Sequence, residues 1–278
     1  MCSSDLLALD LPSSVIVLNG CGDAGASTLG SCIAQAGDAH IYVGTTAWVA
    51  QIADHGAPSE AVYTLAMPHG AGVIRIGAML SGGEAVNWLK GLLNTEIDVL
   101  DAALAARATL EARSNSETCA PKRSNLLFLP YLRGERCPFQ DADVRGAFFG
   151  LTPETSDLDL FEAVLDGLAH ALAANLAALS PPIGPLRMTG GGATSRHLPQ
   201  KIADCTGMPV MIVDRPLAAT AAGGFLIAAR SLGLVIKDPH PGISILPDPA
   251  MFAYAKRRAH LYAQATTFAR SLGNLAEE

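Results

Sequence analysis

The stretch VIVLNGCGDAGASTLG, residues 15–30, opens with the apolar run Val15-Ile16-Val17-Leu18. It then passes through Gly20-Cys21-Gly22-Asp23-Ala24-Gly25 into small residues suited to a helix. Taken literally this is strand, G-x-G-x-x-G, helix, and two readings compete for it. A dinucleotide site needs a second strand ending in Asp or Glu about 20 residues on, where the acid holds the ribose hydroxyls. Here the second strand, His40-Ile41-Tyr42-Val43, runs out into Gly44-Thr45-Thr46, and Asp38 precedes it. An NAD-dependent oxidoreductase therefore has only the glycine pattern behind it. In the other reading the glycines present Asp23.

That second reading draws on three separated turns, each after an expected strand: Gly22-Asp23, Gly44-Thr45-Thr46 and Gly190-Gly191-Gly192-Ala193. Glycine at a strand end lets the backbone approach a ligand with no Cβ in the way. Threonine hydroxyls beside such a turn can donate to phosphate oxygens, and a carboxylate on the same rim can accept a proton from an attacking hydroxyl. Phosphoryl transfer asks for this combination, since it needs positioning and charge neutralisation more than covalent chemistry.

The rest of the composition narrows the class. The 278 residues are 50% hydrophobic and 16% charged, enough for one large domain or two modest ones. No run of 18 or more apolar residues occurs, so no membrane span is expected. A net charge of -7 argues against nucleic acid, which demands a basic face. Six scattered cysteines lack both C-x-x-C and zinc-site spacing, which fits reduced thiols in the cytoplasm.

Along the chain, strands are expected at Val15–Asn19, His40–Val43, Glu60–Met67, Gly72–Met79, Leu126–Tyr131, Pro185–Thr189 and Pro209–Val213. Helices are expected at Ala26–Ala34, from Gly82-Gly83 through Leu89, and at Ile97–Arg113, Leu158–Leu179, Arg196–Cys205, Leu217–Leu234 and Met251–Leu275. Ser114–Ser124 reads as a loop and Pro239–Pro249 as a linker. The order gives an α/β fold, a mixed sheet clad by helices.

Several segments together resemble the C-terminal half of the FGGY family of carbohydrate kinases, its xylulokinase-like members most closely. Phe128-Leu129-Pro130-Tyr131-Leu132-Arg133-Gly134-Glu135-Arg136-Cys137-Pro138 is similar to the family's FLPYLxGERxP segment. Arg145-Gly146-Ala147-Phe148-Phe149-Gly150-Leu151 resembles its ARGxFFGLT run, with Val144 in place of the leading Ala. Gly190-Gly191-Gly192-Ala193, with Ser195, Gln200, Ala203 and Asp204, is similar to GGGAxSxxxxQxxAD. The resemblance implies an actin-like, ribonuclease-H-type fold holding ATP between two lobes. It puts Asp23 where the family has its catalytic base, Gly44 and Thr45 at the phosphates, and Gly83 and Asn87 at the nucleotide. Gly191, Gly192 and Ala193 fall on the adenosine loop. Magnesium would be held mainly through the phosphates and the preceding lobe, with no metal ligand in this chain.

By that resemblance the substrates are ATP and a small sugar, xylulose first and a related ketose, polyol or gluconate next. A homodimer is left open. Residues 1–14 read as a scar or remnant, and residues 15–278 as the ATP-binding domain. Nothing in residues 1–14 resembles the D-x-G-T turn of the family's sugar-binding lobe. The chain alone is therefore expected to lack kinase turnover, and the alternative is a non-catalytic nucleotide-binding module. Glu135 and Arg136 look catalytic by residue type, a structural ion pair pinning their loop is an equal alternative, and no chemistry is assigned to them.

Overall fold

The computed structural model describes residues 8–12, 14–18, 20–68, 70, 72–114, 125–236 and 242–274. Its centre is β1 (Ala39–Val43), which pairs antiparallel with β2 (Ala47–Ala53) on one side and parallel with β7 (Leu186–Thr189) on the other. With β3 (Tyr63–Ala66), β4 (Val73–Met79), β8 (Val210–Ile212) and β9 (Ile243–Ile245), these make a seven-stranded mixed sheet ordered β3-β4-β2-β1-β7-β8-β9. A separate ribbon joins β5 (Leu127–Leu129) to β6 (Ala147–Phe149).

Strand alternation sorts the side chains onto two faces. Ala39, Ile41 and Val43 of β1, with Val49, Leu186 and Met188, bury against α2 (Gly83–Leu93), α4 (Asp157–Ala177) and α5 (Leu198–Thr206). Trp48, Ala50, Ile74 and Ile76 turn the other way, toward Ala24 of α1 (Asp23–Gly30). His40 lies on that second face, with Nε2 3.1 Å from the Thr28 hydroxyl. The result is a helix–sheet–helix sandwich.

α4 starts at a capping box, with Ser156 and Asp159 satisfying each other's backbone amides. It is the one helix among the described residues long and apolar enough to cross a bilayer, and 61% of its apolar window is buried inside the fold. α3 (Ile97–Ser114) and α7 (Pro249–Asn274) flank it. On the far face, α1 and α6 (Ala219–Ser231) pack backbone to backbone. A side chain at Gly30 would strike the Ala219 carbonyl, and one at Gly223 the Ala26 carbonyl, so both positions require glycine.

Several expectations change. Val15–Leu18 forms no strand and is largely exposed, with Ile16 at 67%. Its β-branched content supplies propensity but no neighbouring strand offers a partner, and a strand is not stable unpaired. Asn19 lies outside the described residues, as do residues 1–7 of the expected remnant and residues 115–124 of the expected loop. Without that strand, the Gly20–Gly25 pattern is no dinucleotide turn. The chain also holds three strands that were not expected: β2 beyond the Gly44 turn, β6, and β9 inside the Pro239–Pro249 linker.

Candidate functional site

β1 and β7 run parallel, so their carboxyl ends meet at one edge of the sheet. Gly44 and Thr45 follow β1, and the turn Gly190–Thr194 follows β7. α2 starts beside the first of these turns, because Gly83 N donates to Gly44 O at 2.7 Å and Glu84 N to Thr45 O at 2.9 Å. The Thr45 amide donates to no acceptor among the described residues. Gly190 adopts φ +83°, and a Cβ there would lie 2.5 Å from the Val43 carbonyl. At Gly191 a Cβ would meet nothing nearer than that carbonyl at 4.0 Å, so its absence leaves room in the cleft itself.

These turns rim a cleft of about 420 Å3, within the usual range for small-molecule sites. Gly44, Thr45, Gly83, Asn87, Gly191 and Gly192 all line it. Ile97, Phe161, Leu165, Leu168 and Leu198 give it an apolar floor. Ala193, the remaining residue of the expected nucleotide set, is buried in the core. Its amide donates to Gly190 O at 3.2 Å and closes the turn from behind.

Asp23 stands apart from this lining. It is the first residue of α1, on the opposite face of the sheet, exposed, with Oδ1 accepting the Ala24 amide at 2.8 Å. Its second oxygen has no hydrogen-bond donor among the described residues. The acid is open to solvent rather than sealed in the core.

Sequence reasoning missed Asp101, which lines the cleft from α3 and is 7% exposed. Its carboxylate accepts from the Ser195 hydroxyl at 3.3 Å and the Arg196 amide at 3.1 Å, and its carbonyl lies 3.1 Å from His197 Nε2. Asp101 thus fixes the chain leaving the glycine turn. Its only sequence signal was helical spacing, which does not distinguish an acid facing a cleft from one facing water.

Glu135 and Arg136 make no side-chain salt bridge among the described residues, although the Arg136 charge still pulls on the Glu135 carboxyl. Glu135 is 3% exposed, and its Oε1 accepts backbone amides from Leu80 at 3.1 Å and Arg136 at 2.8 Å. Burial pushes its carboxyl up to about 7, against the pull of those amides. Beneath α4, Lys201 bridges Asp166 at 2.6 Å and Glu162 at 3.2 Å. A second hollow of about 490 Å3 lies between α4 and α7 and holds none of the expected residues.

Glycine turns at a helix start and an apolar floor suit a nucleoside triphosphate, with phosphates at the rim and the base ring inside. A resident metal fits less well: among the described residues, no three His, Cys, Asp or Glu side chains converge.

Residues 39–232 match the model of the FGGY family of carbohydrate kinases, C-terminal domain. The chain is 29% identical over 277 residues to a xylulose kinase of Klebsiella pneumoniae, covering 96% of this chain and 54% of the relative. It is 31% identical over 202 residues to a xylulose kinase of Escherichia coli (strain K12), covering 70% of this chain and 39% of the relative. A solved structure described as a "xyloylose kinase" from Brucella ovis superposes with a TM-score of 0.79 at 27% identity, over 98% of this chain and 56% of that one. The chain thus spans about half the length of the Klebsiella pneumoniae and Brucella ovis proteins.

Proposed function

Since the chain belongs to the FGGY family of carbohydrate kinases, we propose that it is the nucleotide-binding half of an ATP-dependent sugar kinase, with xylulose as the first substrate to try. Its mixed sheet, covered by helices on both faces, is the family's actin-like ATPase fold. The observation that carries the proposal is the joint lining of one cleft by Gly44-Thr45, Gly83-Asn87 and Gly191-Gly192.

Bound ATP with its divalent cation supplies the phosphoryl group. In this chain the Thr45 amide and hydroxyl meet phosphate oxygens, and the glycines let the backbone come close. Ile97, Phe161 and Leu165 shield the base ring from water, and the Asn87 carboxamide gives that end of the cleft a donor and an acceptor. Asp23 takes the proton of the sugar hydroxyl on the oxygen that Ala24 does not engage. The cation would be held mainly through the ATP phosphates and the sugar-binding lobe, since no three metal-ligating side chains converge among the described residues. The reaction is proposed to take place in the cytoplasm.

A titration of this chain with a fluorescent ATP analogue tests the site. Saturable binding is expected, weakened in Asn87→Ala, and no saturation would overturn the reading. Sugar turnover on the order of 1–100 per second is expected only with a sugar-binding lobe present. A non-catalytic nucleotide-binding module is the second reading, favoured by the position of Asp23 outside the cleft lining; Asp23→Asn in a protein that also carries the sugar-binding lobe separates the two.

A further inference from the structure

The segment between β5 and β6 reaches back to the nucleotide turn from two sides. Glu135 accepts the Leu80 amide through its buried Oε1. Two residues earlier, Arg133 closes a forked pair on Glu84, with Nε 2.8 Å from both carboxylate oxygens and Nη2 2.6 Å from Oε1. Leu80 and Glu84 bracket Ser81-Gly82-Gly83, and the amides of Gly83 and Glu84 in turn hold the carbonyls of Gly44 and Thr45. Ser81 is fully buried, and a Cβ at Gly82 would lie 2.6 Å from that of Ala47. The gripping segment is itself fixed, since Glu135 and Asp141 exchange backbone bonds at 2.8 and 3.0 Å.

Neither Glu135 nor Arg133 lines the cleft. Resting on the nucleotide reading above, we infer that Glu135 and Arg133 are positioning residues, a two-point clamp that sets the Ser81-Gly82-Gly83 turn and through it the Gly44-Thr45 phosphate turn. The buried arm holds more strongly, because its Oε1 accepts two backbone amides at a residue only 3% exposed, where water cannot replace them. The Arg133 arm, 69% exposed, adds direction more than strength. Arg136, the Cys137 thiol and the Tyr131 phenol are the charged and titratable groups that face Glu135.

The test combines hydrogen exchange with titration of a fluorescent ATP analogue, each below the melting transition of the variant used. Glu135→Ala should speed exchange of the Leu80–Glu84 amides and weaken the analogue about ten-fold. Glu135→Gln should restore part of both, since its carboxamide oxygen still accepts from Leu80. Arg133→Met should weaken binding about two- to five-fold at an unchanged melting temperature. If Glu135→Ala fails to fold, Arg133→Met and Glu84→Gln carry the test from the surface. Unchanged exchange at Leu80–Glu84 would overturn the clamp, and faster exchange with full affinity would overturn its positioning role. Wild-type chain that binds no analogue would refute the nucleotide reading and this role with it, while the exchange data would still judge the clamp itself.

Discussion

Gly83 donates its amide to the Gly44 carbonyl at 2.7 Å, fastening the start of α2 to the end of β1. A Cβ at Gly83 would run into that same carbonyl. The two sides of the cleft rim are therefore one piece, and the absence of a side chain is what joins them.

Gly83→Ala should cost about 1–3 kcal/mol of stability and abolish analogue binding. Gly91→Ala, on the same helix with nothing within 4 Å of its Cβ, is the control. It should be neutral or stabilising by about 0.5–1 kcal/mol. Urea melts and titrations of the pair decide; equal behaviour would deny the contact any weight.

Asp23→Asn should leave analogue affinity unchanged, because Asp23 lies outside the cleft lining. In a protein that also carries the sugar-binding lobe, the same change should lower turnover about 10²–10⁴-fold. A coupled ATP/sugar assay measures this, and undiminished turnover would remove Asp23 as the base.

Stability should fall on both sides of mildly acidic pH. The Glu135 carboxyl, raised from 4.5 to about 7 by burial, is held more tightly as the acid in the folded chain. Its contribution is full below pH 4.5, shrinks as pH rises and is gone above about 7. His40 and His170 are pushed down by burial from 6.5 to about 3 and about 4. Their contribution is full above pH 6.5 and is lost as pH falls through those values. In urea melts from pH 4 to 8, the difference between wild type and Glu135→Gln should change by on the order of 3 kcal/mol across the first window. A constant difference would contradict it.

Lys201→Met should destabilise by about 1–3 kcal/mol, because the half-buried carboxylates of Asp166 and Glu162 would lose the ammonium that bridges them. Burial alone would lower the lysine pKa, but Asp166 and Glu162 hold it above its ordinary value. Glu162 would retain Arg107. A loss under about 1 kcal/mol would show that the site takes up water instead.

Local chemistry was legible in the sequence where one residue type answers one demand. The turns at Gly44 and Gly190–Gly192 drew attention because glycine at a strand end lets backbone approach a ligand, whereas Gly83 and Asn87 entered only through the family resemblance. The alternating sheet and the long apolar stripe of α4 were visible in the spacing of their apolar residues. Val15–Leu18 misled because pairing is a property of the neighbour, which the run itself cannot encode. Asp101 and Glu135 were opaque for a related reason. Their roles come from backbone amides 95 and 55 residues away in sequence, brought near only by the fold.

The glycine contact between α1 and α6 has a mechanical corollary. Gly190 donates its amide to Pro216 O at 3.0 Å, the Pro216–Ala218 turn runs straight into α6, and α6 is seated on α1 at Gly223 and Gly30. Asp23 heads α1, so the Gly190–Thr194 turn and the acid are joined by a route of main-chain contacts. A single methyl group at either glycine would strike a carbonyl of the facing helix and unseat that route at its midpoint.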